Sequence, residues 1–446
     1  MSRLRSLLSK IDPGPDGPPG RRELQILAAI VVVGVLVRIG YGLSLRDLPL
    51  LGDAPGFDAS ARLFADGHPF WGDLPYGDAH PTAWKAPAYP AWLGVIYTIF
   101  GPSVTAVSVV QALVCGTTVI VLTWLLARRL FNFQIALAAA GVIAIYANAF
   151  QWEASLFVEA LVLPLTLVFF IIVLRGPPTT RVAIGVGALL GLMLLVRPTS
   201  FFLLAGLLAA WWLMAGFREA VRGLAIAAVC MVLVVLPWTV RNAIVLDGFI
   251  PISVQDAAAA GTFNDDAAND EEYPYAWRPL ASRDADLADP AHPLSEPEFR
   301  SELQSRALDY VREHPDAVPK AIFWNGITRL WDIRRPAHVV EEADFQTRRR
   351  SIAALGLGMY YVLAPLALVG LWRVRRSRRT LAVMLLAMAA AAVFVFAITA
   401  TTRYRLPFEP MIVILACAAV VPALVPRARF DGEGEPAAPV ETTVAA

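Results

Sequence analysis

Lysine is nearly missing from this 446-residue sequence: of 38 basic residues only Lys10, Lys85 and Lys320 are lysines. Charge of either sign is scarce, at 17% of residues against roughly a quarter in soluble domains, and a net charge of +1 leaves no basic field for nucleic acid. The three cysteines, Cys115, Cys230 and Cys417, lie far apart in apolar stretches, which argues against a disulfide framework or a thiolate cluster. Histidines are few (His68, His80, His292, His314 and His338) and lack ligand spacing, so no histidine metal site is expected. What fills the chain is apolar: 57% of residues are hydrophobic and the mean hydropathy is +0.57. A soluble multidomain enzyme is excluded, and a polytopic membrane protein is expected.

The sequence divides into a polar tail (1–23), a transmembrane module (24–242) with a polar loop at 46–85, a longer polar region (243–350), a C-terminal transmembrane part (351–425) and a second polar tail (426–446). Both tails are read as disordered. The run from Leu24 to Tyr41 follows a Pro/Gly-rich tail and is followed by no small-residue cleavage site, so it is read as the first membrane helix and not as a signal peptide. Apolar runs occupy 24–44, 86–101, 104–127, 135–152, 155–174, 182–197, 199–216, 222–240, 352–372, 380–400 and 406–425. Arginines cluster at 21–22, 128–129, 175 and 181, 218 and 222, 373–379, and 427 and 429. Short cytoplasmic loops are enriched in Lys and Arg. Placing every cluster inside a plasma membrane leaves 46–85 and 243–350 outside, with both termini in the cytoplasm.

Ten full crossings result. The run 86–101, short and carrying Pro87 and Pro90, is then a membrane-embedded or juxtamembrane helix that does not span. An eleven-span alternative would leave Arg128 and Arg129 outside. The loop 243–350 holds 20 Asp/Glu against 12 Lys/Arg and has two predicted helices, at about 296–313 and 316–331.

Ionisable residues at membrane depth usually serve a site or a pathway. In this topology Asp53, Asp58, Lys85, Glu153, Glu159, Arg197, Arg241, Asn242, Arg403 and Arg405 all fall on the outer side. Any one of them alone reads as an interfacial anchor; the set on one side points to a single outward-facing polar cavity. Arg and Lys suit a phosphate. A neighbouring carboxylate suits a general base acting on a hydroxyl. A lipid-linked phosphate would keep its tail in the bilayer, and the implied chemistry is displacement at a phosphorylated carbon.

The segments GDAPGFDASARLFADGHPF from Gly52, HPTAWKAPAYPAWLGVIYTIFG from His80, VQALVCGTTVIVLTWLLARRLF, GLMLLVRPTSFFLL, LPWTVRNAIVLDGFIPIS, DYVREHP and RYRLPFEPMIVILA resemble, in order, the GT-C superfamily of polytopic glycosyltransferases. The resemblance is to the bacterial relatives of protein O-mannosyltransferases and lipid A aminoarabinose transferases, over about 25–425. It implies an all-α GT-C-like bundle of about 10–11 transmembrane helices, with juxtamembrane helices in the first outer loop and a larger helical second one. It also implies an inverting transfer of a sugar from a polyprenyl-phosphate donor to an acceptor hydroxyl on the extracytoplasmic side, in cell-envelope glycan, glycolipid or glycoprotein synthesis.

Carried over by position, Asp53 is the catalytic carboxylate, with Asp58 its rival. Lys85 and Arg197 are the first donor-phosphate ligands, followed by Arg241, Arg403 and Arg405. Glu159, Phe57, His80, Tyr89 and Asn242 are candidate substrate contacts. The resemblance fixes no cofactor; a divalent metal stays open because some superfamily members use one. The chain departs from the aminoarabinose transferases at Gly56, where they carry a basic residue, and at Phe57, where tyrosine is common, which leaves the sugar undetermined. Two other classes stay open: a membrane transporter or lipid-linked-sugar flippase, which would place polar groups along a whole pathway, and a non-catalytic envelope-assembly protein, which would tolerate loss of Asp53.

Overall fold

The computed structural model describes residues 15–73, 78–278, 286–287, 289, 293–391 and 402–424. His292, most of the N-terminal tail, the end of the run 380–400 and the tail from 426 lie outside the described residues. Every apolar run is mainly helical where described. In chain order the helices that matter are α1 (Arg21–Ser44), α2 (Ala54–Ala65), α3 (Ala88–Phe100), α4 (Val104–Leu130, with a π turn at Ala112–Gly116), α5 (Phe133–Ile145), α6 (Ala147–Glu153), α7 (Glu159–Val173), α8 (Thr180–Val196), α9 (Leu203–Ala215), α10 (Phe217–Val245), α11 (Glu296–Glu313), α12 (Arg350–Val374), α13 (Arg378–Ala391) and α14 (Glu409–Leu424). A two-residue antiparallel hairpin, β1 (Trp71–Gly72) on β2 (His80–Pro81), pairs Trp71 with Pro81 and Gly72 with His80.

Among the described residues six helical stretches are long and apolar enough to cross a membrane: α1, α4, Pro198–Ala215, α10, α12 and Arg403–Pro422; the bent pair α5–α6 makes a seventh if counted as one. This is a multi-pass membrane protein. Of the ten full crossings expected, the run 380–400 lies partly outside the described residues, and several others are broken or short. α7 has 15 residues and α8 has 17, about 22 and 26 Å at 1.5 Å per residue, against a hydrocarbon core of about 30 Å. Pro198 ends the helical hydrogen bonding after Arg197, separating α8 from α9.

The run 135–152 breaks at Tyr146, whose ψ of 109° is extended, and α5 and α6 meet at 56°. Such a break frees carbonyls that water cannot reach. Arg38, fully buried in the middle of α1, donates to Ala144 O (2.8 Å) and Gly34 O (3.2 Å) and pairs with Glu153 (2.7 Å). Glu153 is thereby committed to the scaffold.

Near the start of α1, Glu23 accepts from Arg128 Nε (2.9 Å) and Trp124 Nε1 (3.1 Å) near the end of α4. The first turn of α1 and the last turn of α4 therefore share one end of the bundle. By parity, α2 and α3 between them add an even number of crossings, and at 12 and 13 residues neither is long enough to cross alone. They pack instead on each other through Ala54, Phe57, Ala61, Tyr89, Leu93 and Tyr97. Elsewhere small residues let helices approach: a Cβ on Gly187 of α8 would stand 2.2 Å from Ala227 O of α10. The expected helix at 296–313 is found as α11, opened by a full Ser295/Glu298 capping box. The expected 316–331 segment is a short α-helix, Ala317–Ala321, running into a π-helical stretch, Ile322–Arg329.

Candidate active site

Asp53 sits at the N-cap of α2, straight after a turn that requires glycine. Gly52 has φ +68°, and a Cβ there would lie 3.2 Å from Phe345 O. Thr347 closes the turn: its Oγ1 accepts from Leu51 N (2.9 Å) and donates to Pro49 O (3.2 Å). So fixed, the Asp53 carboxylate meets two cations from distant parts of the chain. Arg403 Nη1 donates to Oδ2 at 2.7 Å, and Lys85 Nζ stands 3.6 Å from Oδ1. The Asp53 side chain is 35% exposed, whereas Lys85 and Arg403 are 9% and 12% exposed, so the cluster has one open face, on the carboxylate.

Burial disfavours the charged carboxylate, but Lys85 and Arg403 outweigh it and hold Asp53 well below its ordinary value of 3.8. Burial likewise pushes Lys85 down, with Asp53 opposing. Lys85 Nζ lies 4.0 Å from the centre of the Phe57 ring, which meets Tyr89 edge-on at 4.8 Å. The Tyr89 hydroxyl donates to the Gln111 amide at 3.0 Å.

Behind Arg403 stands a second layer. Glu159, fully buried, accepts from Arg197 Nη2 and lies 3.9 Å from Arg403 Nε; its Oε2 has no partner among the described residues. Both guanidinium groups stack on Tyr404, at 4.9 and 4.8 Å. Of the residues singled out in the sequence, Asp53, Phe57, Lys85, Tyr89, Glu159, Arg197 and Arg403 thus come together.

The others are engaged elsewhere. Asp58 pairs with Arg62 one turn on (2.7 Å) and accepts from the Tyr97 hydroxyl (2.5 Å). Arg241 donates to the carbonyls of Thr82 (2.9 Å) and Phe70 (3.2 Å), and Asn242 donates to Ile250 O (3.0 Å). Arg405 is fully buried against Glu409 (2.7 Å), Asp332 (3.0 Å) and the Tyr360 ring (3.6 Å). His80 Nε2 lies 3.4 Å from Glu296, which, with the Asp78 carbonyl, raises its pKa above 6.5. Position in sequence puts all of these on the expected outer side, in the first loop or at helix ends. It does not reveal the carbonyls flanking the hairpin or the carboxylates of the later loop, and those engage Arg241, Arg405 and His80.

Two functional candidates escaped the sequence. Glu296, in the first turn of α11, accepts from Thr82 Oγ1 and Ala83 N (2.8 Å) and so holds the segment leading to Lys85. Its residue type and the Ser-Glu-Pro-Glu start of α11 are visible in the sequence; the partner 213 residues away is not. Arg348 is buried, donates to Gln151 Oε1 (3.2 Å) and stacks on Trp152 (4.1 Å), with Nε and Nη2 unpartnered among the described residues. Nothing in its arginine-rich neighbourhood marks it out.

The fold also gathers ligand atoms of Glu272, His338 and Glu341 within 4.8 Å of one another, a grouping that the sequence spacing does not disclose. At Asp53 itself the neighbours do not suit a metal ion, since Lys85 and Arg403 would both repel a divalent cation there.

Over 90% of its length the chain superposes on the archaeal oligosaccharyltransferase AglB from Archaeoglobus fulgidus, in complex with an inhibitory peptide and a dolichol-phosphate, with a TM-score of 0.53 and 13% identity. This is the GT-C fold. An Archaeoglobus fulgidus oligosaccharyltransferase tethered to an acceptor peptide gives the same TM-score at 15% identity over 89% of the chain. The chain spans about half the length of these archaeal proteins, 50% and 49%. ArnT from Cupriavidus metallidurans bound to undecaprenyl phosphate is similar at a TM-score of 0.40 and 14% identity, over 90% of this chain and 78% of that one. The family profile of dolichyl-phosphate-mannose-protein mannosyltransferases matches residues 80–240, the part of the GT-C fold that runs from β2 through α10 and includes Lys85, Glu159 and Arg197. No curated protein matches the chain.

Proposed function

We propose that the chain is an inverting glycosyltransferase that moves a sugar from a polyprenyl-phosphate donor to an acceptor hydroxyl at the extracytoplasmic face of the plasma membrane, in the synthesis of cell-envelope glycan, glycolipid or glycoprotein. Both termini then lie in the cytoplasm. The observation that carries this reading is one partly exposed carboxylate bridged by two less exposed cations, Lys85 and Arg403. The GT-C fold and the mannosyltransferase profile support it, as does the dolichol-phosphate in the AglB complex.

The donor phosphate competes with Asp53 for Lys85 and Arg403, because an anion with several acceptor oxygens suits both cations. Asp53, released, takes the proton of the acceptor hydroxyl as that oxygen attacks the anomeric carbon from the face opposite the phosphate. The bond from the anomeric carbon to the phosphate oxygen breaks, its electron pair stays on that oxygen, and the sugar leaves with inverted configuration. The departing polyprenyl phosphate needs no proton; it needs positive charge, which Lys85 and Arg403 supply. Arg197 and Glu159 orient Arg403, and Arg348 adds a further guanidinium close behind.

The test uses the purified full chain with a panel of polyprenyl-phosphate sugars and an envelope fraction as acceptor. Release of polyprenyl phosphate in step with sugar transfer is expected. No release from any donor, with movement of the donor between leaflets of liposomes, would make the protein a flippase; neither activity would make it an assembly protein.

A further inference from the structure

Lys85 also borders a cleft enclosing about 430 Å³, part of it open solvent, between α2, the hairpin, the start of α3 and α10. Four aromatic side chains, Phe70, Trp71, Trp84 and Trp238, line it, and Asp73 and Ser60 add a carboxylate and a hydroxyl. Gly56 contributes no side chain to the wall. An isoprenoid tail calls for an apolar wall, and Asp73 and Lys85 spoil this one. A sugar ring presents apolar C–H faces to aromatic rings and hydroxyls to a carboxylate, and it matches the mixture found here.

The backbone gives a second, independent indication. Phe70 has φ 61°, a conformation that a bulky residue rarely adopts. It is held there from two sides: its carbonyl accepts from Arg241 Nη2 (3.2 Å) and from Thr82 N (2.9 Å). The strained residue stands its ring edge-on to Trp238, with centroids 5.0 Å apart, on the wall of the cleft. Strain kept by such over-determination gathers at binding sites.

We propose that this cleft is the subsite for the glycosyl ring of the donor, packed against the aromatic side chains and hydrogen-bonded by Asp73. The inference rests on the glycosyltransferase reading above. With the phosphate on Lys85, shared by cluster and cleft, the ring enters the cleft and its anomeric carbon stays beside Asp53. Arg241 and Glu296 are then positioning residues, which hold the two strands of the hairpin against α10 and α11.

The experiment measures binding of the purified full chain to polyprenyl phosphate and to its mannosyl, glucosyl, N-acetylglucosaminyl and arabinosyl forms, for wild type, Trp71→Ala and Asp73→Asn. At least one sugar should tighten wild-type binding over the bare lipid phosphate. Both variants should lose that gain, by about tenfold for a lost hydrogen bond or ring contact, with affinity for the bare lipid phosphate not weakened. Asp73→Asn preserves shape and keeps the test available if Trp71→Ala unfolds. Equal weakening toward both lipids would make the cleft a tail groove and overturn the proposal. So would unchanged variants, or a wild type that gains nothing from any sugar. A wild type that binds neither lipid would sink the glycosyltransferase reading itself.

Discussion

A carboxylate held well below pH 3.8 is ionised at every working pH yet accepts a proton poorly, and Asp53 in the free protein is in that state. Phosphate on Lys85 and Arg403 would remove its cationic partners and set a second anion beside it, and both changes raise its pKa. The acid limb of kcat/KM, which reports the free protein, should therefore lie at lower pH than the acid limb of kcat, which reports the bound complex. Coincident limbs in the two pH profiles would contradict this release. The same ion pairs bear on stability: with the folded pKa depressed, their contribution is present above pH 3.8 and is lost as pH falls through the folded value. Asp53 and Lys85 were legible in the sequence as polar residues beside apolar runs. The pairing of Asp58 with Arg62, four residues on along the same helix, follows the i,i+4 spacing in the sequence. The engagement of Arg241 by two carbonyls was not, because hairpin carbonyls leave no trace in residue type.

At the scale of elements, the hairpin depends on contacts from α10 and α11. His80 has a raised pKa through Glu296, so its contribution to holding the hairpin is present below pH 6.5 and is lost as pH rises through the raised folded value. Glu296→Gln should flatten that dependence in hydrogen exchange of residues 80–84 and lower affinity for polyprenyl phosphate through a displaced Lys85; exchange that stays pH-dependent would rule out the pair. Gly187→Leu should force α8 from α10 and lower stability by about 1–3 kcal/mol or more, measured by thermal unfolding in detergent. Helix identity and α11's start were readable from hydropathy and from Ser295 with Glu298. The break at Tyr146 was not. Its carbonyls are satisfied by Arg38 from another helix, and a 135–152 run that looks continuous gives no local sign of it.

Across the whole molecule the scarce charges form separate groups, among them a bundle-end pair, Glu23 with Arg128; the buried pair of Arg38 with Glu153; a buried knot of Arg405, Asp332 and Glu409; and the open cluster at Asp53. Arg405→Met would leave the buried Glu409 without its cation and Asp332 with the longer pair to Arg334 (3.9 Å), and should destabilise by about 3–5 kcal/mol, measured by unfolding in detergent, with little change in donor affinity of the folded fraction. Of the lysines described, Lys320 makes an exposed pair with Asp316, whereas Lys85, only 9% exposed, stands at the carboxylate cluster. A residue type that is almost absent has one of its members at the centre of the site. The most direct test of the account is transfer from a polyprenyl-phosphate sugar by purified wild type, Asp53→Asn and Asp58→Asn, each checked for folding. Loss of a general base should lower turnover by about 10²–10⁴-fold in Asp53→Asn, with the Asp58 variant close to wild type. Full transfer by the Asp53 variant, or loss confined to Asp58→Asn, would contradict it.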